Sequence, residues 1–290
     1  MKTRVLLLMT LLTVATAVMG QNDPNAKRQA ARRRMAGTTT QQPAQTQQPA
    51  QTQQPVQTQK PVAAPPSSTS DIENQQQYDQ YIDAAKKGDA LAEHKVADSY
   101  KFPTEGFIYW LSRSAEHGYQ GAQNVLAYCY ASGYGVEKDN KKAFEWWLKS
   151  AEQGNAASQS SVGDMYLGGT GTEKNEEKAY YWFQKGAEQN DVHSLVMMGF
   201  AYEGKGVVPA DPAKSFECFK KAAELGSDMA MPQVAFLYFY GDGVAQDYKQ
   251  AIYWFEKSLA STDDPEDVEY WKEMLDKAKQ RQQIKDKMKK

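Results

Sequence analysis

The sequence predicts an all-α fold: an α/α solenoid of stacked antiparallel helix pairs, about 36 residues to a pair. Three observations predict it. The stretch 122–154, AQNVLAYCYASGYGVEKDNKKAFEWWLKSAEQG, recurs three more times at that spacing. Its aromatic columns stay in register: Tyr130, Tyr166, Tyr202 and Tyr238; Trp146, Trp182, Cys218 and Trp254; Trp147, Phe183, Phe219 and Phe255. Asp139, Asn175, Asp211 and Asp247 form a further column, each ahead of an amphipathic run. There a side-chain oxygen caps orphan helix N–H groups.

Taken in order, residues 1–20 read as a secretory signal peptide. A basic start (Met1–Arg4) leads to an apolar run (Val5–Val14) and the small-residue pattern Ala15-Thr16-Ala17. Cleavage is expected after Ala17 or Gly20. The run is short of the roughly 20 residues a membrane span needs, so an uncleaved anchor is the secondary reading and no stable span is expected after cleavage. Residues 21–73 read as a disordered linker. It carries a basic cluster (Lys27, Arg28, Arg32–Arg34), then Pro43, Pro49, Pro55 and Pro61 within Gln and Thr. Little there is apolar, and the prolines favour extended conformations.

Residues 74–262 read as the solenoid. One helix lies within Asp71–Lys87 and ends at Gly88, like the second helix of a pair. A degenerate pair follows, with Ala92–Tyr100 as helix A, Pro103 in a shortened turn, and Trp110, Ala115 and Gly118 in helix B. In the regular units helix A ends at paired glycines: Gly133/Gly135, Gly169/Gly171, Gly204/Gly206 and Gly241/Gly243. Helix B ends at Gly154, Asn190 and Gly226, residues that accept the left-handed C′ conformation. Ala122, Ser158, Ser194 and Ala230, and Ala127, Gly163, Gly199 and Ala235, are small and let helices approach closely. Ser261–Glu266 starts a final helix with Val268, Trp271 and Leu275 on one face. Residues 263–290 are thus a capping helix and a Lys-rich tail, expected to fray beyond Asp276.

Charge is uneven. Residues 1–70 hold eight Lys/Arg and one Asp, whereas residues 71–290 hold 26 Lys/Arg and 35 Asp/Glu. An acidic repeat region lacks the basic footprint that nucleic acid requires.

The pattern Leu126-Ala-x-x-Tyr130, Gly133-x-Gly-Val136, Asp139, Ala143-x-x-Trp146 and Ala151-Glu-Gln-Gly154 resembles the Sel-one-like repeat, a branch of the tetratricopeptide superfamily, over residues 75–262. The resemblance implies a right-handed superhelix with helix A lining the concave face, and a non-catalytic scaffold for a protein or peptide partner. Carrying over the tetratricopeptide groove positions marks His94, Asp98, Asn124, Tyr128, Ser160, Asp164, Val196, Phe200, Pro232, Phe236 and Phe239. The groove is then expected to be polar at its N-terminal end and aromatic at its C-terminal end. The competing reading of Phe200, Phe236 and Phe239 is that they are core, or lie under the final helix.

Some secreted members of the family carry a cysteine pair in each unit; this chain has no such pairs. Others have been linked to penicillin binding or β-lactamase activity, chemistry that usually uses Ser-x-x-Lys. No lysine of this chain has serine three residues before it. A glycan of the cell wall is the alternative partner. Cys129 and Cys218 sit at core columns two units apart and read as free, buried fillers. His94, His117 and His193 lack metal-ligand spacing, and the Gly-x-Gly turns follow helices rather than strands. No catalytic residue, cofactor or metal is expected.

Overall fold

Glycine and Asx residues cut the chain where the sequence places the breaks. The computed structural model describes residues 72–100, 104–204 and 206–288, with side chains from Tyr78 onward. The expected signal peptide, the linker up to residue 71 and the Arg32–Arg34 cluster lie outside the described residues.

The described residues form twelve α-helices and no strand. They are α1 (Ile72–Lys86), α2 (Ala90–Asp98), α3 (Glu105–Glu116), α4 (Gln120–Ser132), α5 (Asn140–Glu152), α6 (Ala156–Gly168), α7 (Glu176–Glu188), α8 (Val192–Ala201), α9 (Pro212–Glu224), α10 (Ala230–Tyr240), α11 (Tyr248–Ala260) and α12 (Pro265–Lys287). Each packs against the helices before and after it in the chain. Helices α2, α4, α6, α8 and α10 are the A members; α3, α5, α7, α9 and α11 are the B members. A pair cannot bury its apolar face alone, so stacking completes the core.

The Asx column caps helix B as expected. Asp139 accepts from Lys141 N and Lys142 N at 3.0 Å, and Asn175, Asp211 and Asp247 repeat the arrangement. Asp89, Asn155 and Asp191 cap helix A in the same way, a set the sequence reading leaves unassigned. The tyrosine column has a backbone role too. The N–H of each Asx cap donates to the carbonyl of Tyr130, Tyr166, Tyr202 or Tyr238 at 2.8–3.0 Å. That bond closes the turn inside each of the four regular units.

The second glycine of the turn meets the preceding unit. Gly171 and Gly243 have φ of 71° and 72°. A Cβ on Gly171 would collide with the carbonyl of Asn140, and one on Gly243 with that of Pro212. Here glycine supplies both the left-handed backbone and the close approach. The third unit differs, because its glycine pair falls one residue early. Helix α8 ends at Ala201, three residues short of its column, and Gly206 is not left-handed.

Phe183, Phe219 and Phe255 are fully buried. Full burial of each such ring contributes about 2 kcal/mol. The small column makes room for them: a Cβ on Gly163 would lie 2.6 Å from Phe183, and one on Gly199 2.7 Å from Phe219. In α12 the equivalent position is Trp271. Its ring stacks back on Phe255 at 6.3 Å. Fraying beyond Asp276 is not observed. Helix α12 runs to Lys287, with Ala278 buried, Lys279 Nζ 3.3 Å from Glu256 and Lys285 over the Tyr248 ring.

Both cysteines are free, Cys129 buried and Cys218 half-buried. Burial pushes each thiol up to about 11. We expect two thiols to titrate slowly in the native protein and at once in denaturant without reductant. Absence of titratable thiol in denaturant would mean a disulfide that this packing forbids.

Candidate partner-binding face

Helix A of each unit presents two positions to the expected groove. Their side chains differ sharply in accessibility. Tyr128 is 54% exposed, and Asp98 and Asp164 are exposed as well. Asp164 pairs with His193 one unit on, Oδ1 to Nε2 at 2.9 Å. That hydrogen bond holds the imidazole above its ordinary pKa, against the opposing effect of burial. A raised histidine pKa stabilises the fold below the ordinary value, and the contribution fades as pH rises through the shifted one. Phe200 is half-buried and meets the Phe219 ring edge to face at 4.9 Å. These positions repeat in register, with Asp98, Tyr128, Asp164 and Phe200 on successive helices A.

Other expected positions are structural. Val196 and Phe236 are each 2% exposed, and Pro232 is fully buried. Phe236 packs on Phe255 at 5.2 Å and on Trp271 at 6.0 Å. The C-terminal end of the face is therefore not an open aromatic patch, because α12 covers it. Phe239 is half-buried between Tyr240 and Tyr248. Ser160 is buried and bonds the Ala157 carbonyl.

Asn124 is a brace. Its Oδ1 accepts from Trp147 Nε1 at 3.1 Å and from Ser158 Oγ at 2.9 Å, tying α4, α5 and α6 together. His94 is mostly enclosed, packed on the Tyr119 ring at 4.8 Å, with Nε2 3.8 Å from Asp98. Burial holds it below its ordinary pKa.

Beside this face lies a polar ladder. Glu93 is fully buried, with Arg113 Nε 2.9 Å from Oε1 and His117 Nδ1 2.7 Å from Oε2. In the next units the same two positions are Gln123 with Gln153, at 2.7 Å, and Gln159 with Gln189, at 2.8 Å. Leu195 and Leu225 follow. The pair thus passes from charged to polar in contact, and then to two leucines of which Leu225 is 51% exposed.

The pattern of the Sel1 repeat family matches residues 108–119, 121–155, 156–191, 192–227 and 229–263, more than half of the chain. The chain belongs to the Sel1 repeat family. Sel1 repeats typically serve as protein-interaction scaffolds. Two solved structures share the architecture. A Sel1 repeat protein from Oxalobacter formigenes is 27% identical with a TM-score of 0.59, over 70% of this chain and 60% of that one. The protein c5321 of uropathogenic Escherichia coli, a protective antigen displaying an SLR fold, is 28% identical with a TM-score of 0.58. That match covers 69% of this chain and 48% of c5321. This chain thus spans less than two thirds of either Sel1 relative. No curated protein matches it.

Sequence reading missed the Asp164–His193 pair and the buried Glu93 cluster. No local motif marks either. The signal for the second was available only by aligning units, where Glu93 and His117 replace a Gln–Gln pair together.

Proposed function

We propose that this Sel1 repeat protein is a non-catalytic scaffold of the cell envelope or secreted space, binding a protein or peptide partner on the helix A face. The observation that carries the reading is Tyr128, a large ring left in solvent at a position where neighbouring units place Asp98, the Asp164–His193 pair and Phe200. An exposed aromatic among charged groups is the composition of a binding hot spot. The two carboxylates favour basic groups in the partner, and Phe200 favours an apolar anchor. The features of residues 1–20 support export. Among the described residues no helix is long and apolar enough to cross a membrane.

The test uses a partner co-purified from the source organism's envelope. Its affinity is measured for wild type and for Tyr128→Ala with Asp164→Ser. The expected result is a loss of about tenfold or more, with little change in the melt, as truncating a hot-spot ring gives. Unchanged affinity would remove this face from the proposal. Peptidoglycan run as a parallel ligand discriminates the glycan reading: saturable binding to it that needs Tyr128 would replace a protein partner by a sugar.

A further inference from the structure

We infer a second site, on the fourth regular unit, that accepts the lysine side chain of a peptide. Three units show what it recognises, because each binds a lysine of its own. Lys142 Nζ lies 5.2 Å from the Tyr130 ring centre, and Lys178 and Lys214 lie 5.3 and 5.5 Å from Tyr166 and Tyr202. The Asx cap completes the arrangement in two of them. Asp139 Oδ1 caps the helix while Oδ2 faces Lys142 at 3.8 Å; Asp211 Oδ2 faces Lys214 at 3.4 Å. A ring face and a carboxylate oxygen together bind an ammonium.

The fourth unit keeps the ring and the carboxylate but not the lysine. Tyr238 and Asp247 hold their columns, and Gln250 stands where Lys142, Lys178 and Lys214 stand. Asp247 uses Oδ1 for both of its capping bonds, to Lys249 N and Gln250 N, leaving Oδ2 in the lysine-facing role. A groove of about 640 Å³ opens at this position, lined by Tyr238, Asp247, Gln250 and Trp254 together with Glu224. The two lysines on its wall already have partners within that wall, and neither is placed against Tyr238 or Asp247. Lys220 pairs with Glu224 at 3.7 Å, and Lys257 lies over the Tyr253 and Trp254 rings.

An independent observation marks the same groove. Trp254 is 5% exposed, and its indole N–H is buried with no hydrogen-bond partner. A buried donor of this kind is normally satisfied. A peptide lysine offers its ammonium to Tyr238 and Asp247, and Trp254 on the same wall reports on it. The site shares no residue with the helix A face and goes beyond the function proposed for it.

The test titrates full-length protein with N-acetyl-Ala-Lys-Ala-amide and follows the indole N–H resonance of Trp254, assigned with Trp254→Phe. The expected result is a saturable shift, absent with the norleucine analogue, which keeps the chain and removes the charge. Gln250→Lys supplies the internal ammonium of the other units. It should weaken peptide binding about tenfold or more, while melting no lower than wild type. An equal shift with norleucine, no shift with the lysine peptide, or undiminished binding by Gln250→Lys would each overturn the site. Tyr128→Ala should leave the titration unchanged, which separates this site from the helix A face.

Discussion

Gly243→Ala is expected to lower stability by about 3–5 kcal/mol, adding left-handed strain to overpacking. The methyl group would enter the carbonyl of Pro212, which begins helix B of the preceding unit. Backbone cannot rotate aside as a side chain can, so the two units must separate. Gly171→Ala should behave alike, through Asn140. Gly206→Ala is the control. Its φ is not positive, and its nearest neighbour is the end of the Tyr180 side chain at 3.3 Å. Chemical denaturation should place Gly206→Ala within about 0.5 kcal/mol of wild type, as for an ordinary surface change. Equal costs for all three variants would show that the turns do not set the spacing between units.

Arg113→Ala is expected to cost about 3 kcal/mol, the low end of the range for breaking a buried ion pair. The low end applies because Arg113 keeps 31% of its side chain in solvent, whereas Glu93 keeps none. Removing the guanidinium leaves a buried carboxylate with the His117 ring as its remaining side-chain partner. The guanidinium also donates to Tyr109 and stacks over Trp110, contacts that hold its position and are lost with it. Converting Glu93 and His117 together to glutamine should cost far less, because Gln123 and Gln153 already make that contact in the next unit. Denaturant midpoints check both. A double-glutamine variant as damaged as Arg113→Ala would mean that the charge is needed beyond its local pairing.

The fold was legible because each local signal repeats. Asp139, Asn175, Asp211 and Asp247 state the start of helix B four times, and glycines or Asn190 state its end. Periodic small residues opposite Phe183 and Phe219 gave the packing. The candidate face was less legible. A column fixes which way a residue points within its unit, but not what lies over it. Phe236 occupies a groove column and is buried by α12, a helix from outside the repeat. The tail beyond Asp276 reads as polar and frayed, yet contacts to Glu256 and Tyr248 hold it helical. Both differences come from tertiary contacts at the end of the stack, where the periodicity that made the rest readable has stopped.

The central claim is that the helix A face, and not the outer helix B surface, meets the partner. Photo-crosslinking tests it most directly, with benzoylphenylalanine placed at Tyr128 or at Tyr181, two tyrosines each 54% exposed on A and B helices. In envelope preparations of the source organism, the account predicts a discrete adduct from position 128 that wild-type protein competes away, and none from position 181. A competed adduct from position 181, with none from position 128, would contradict it.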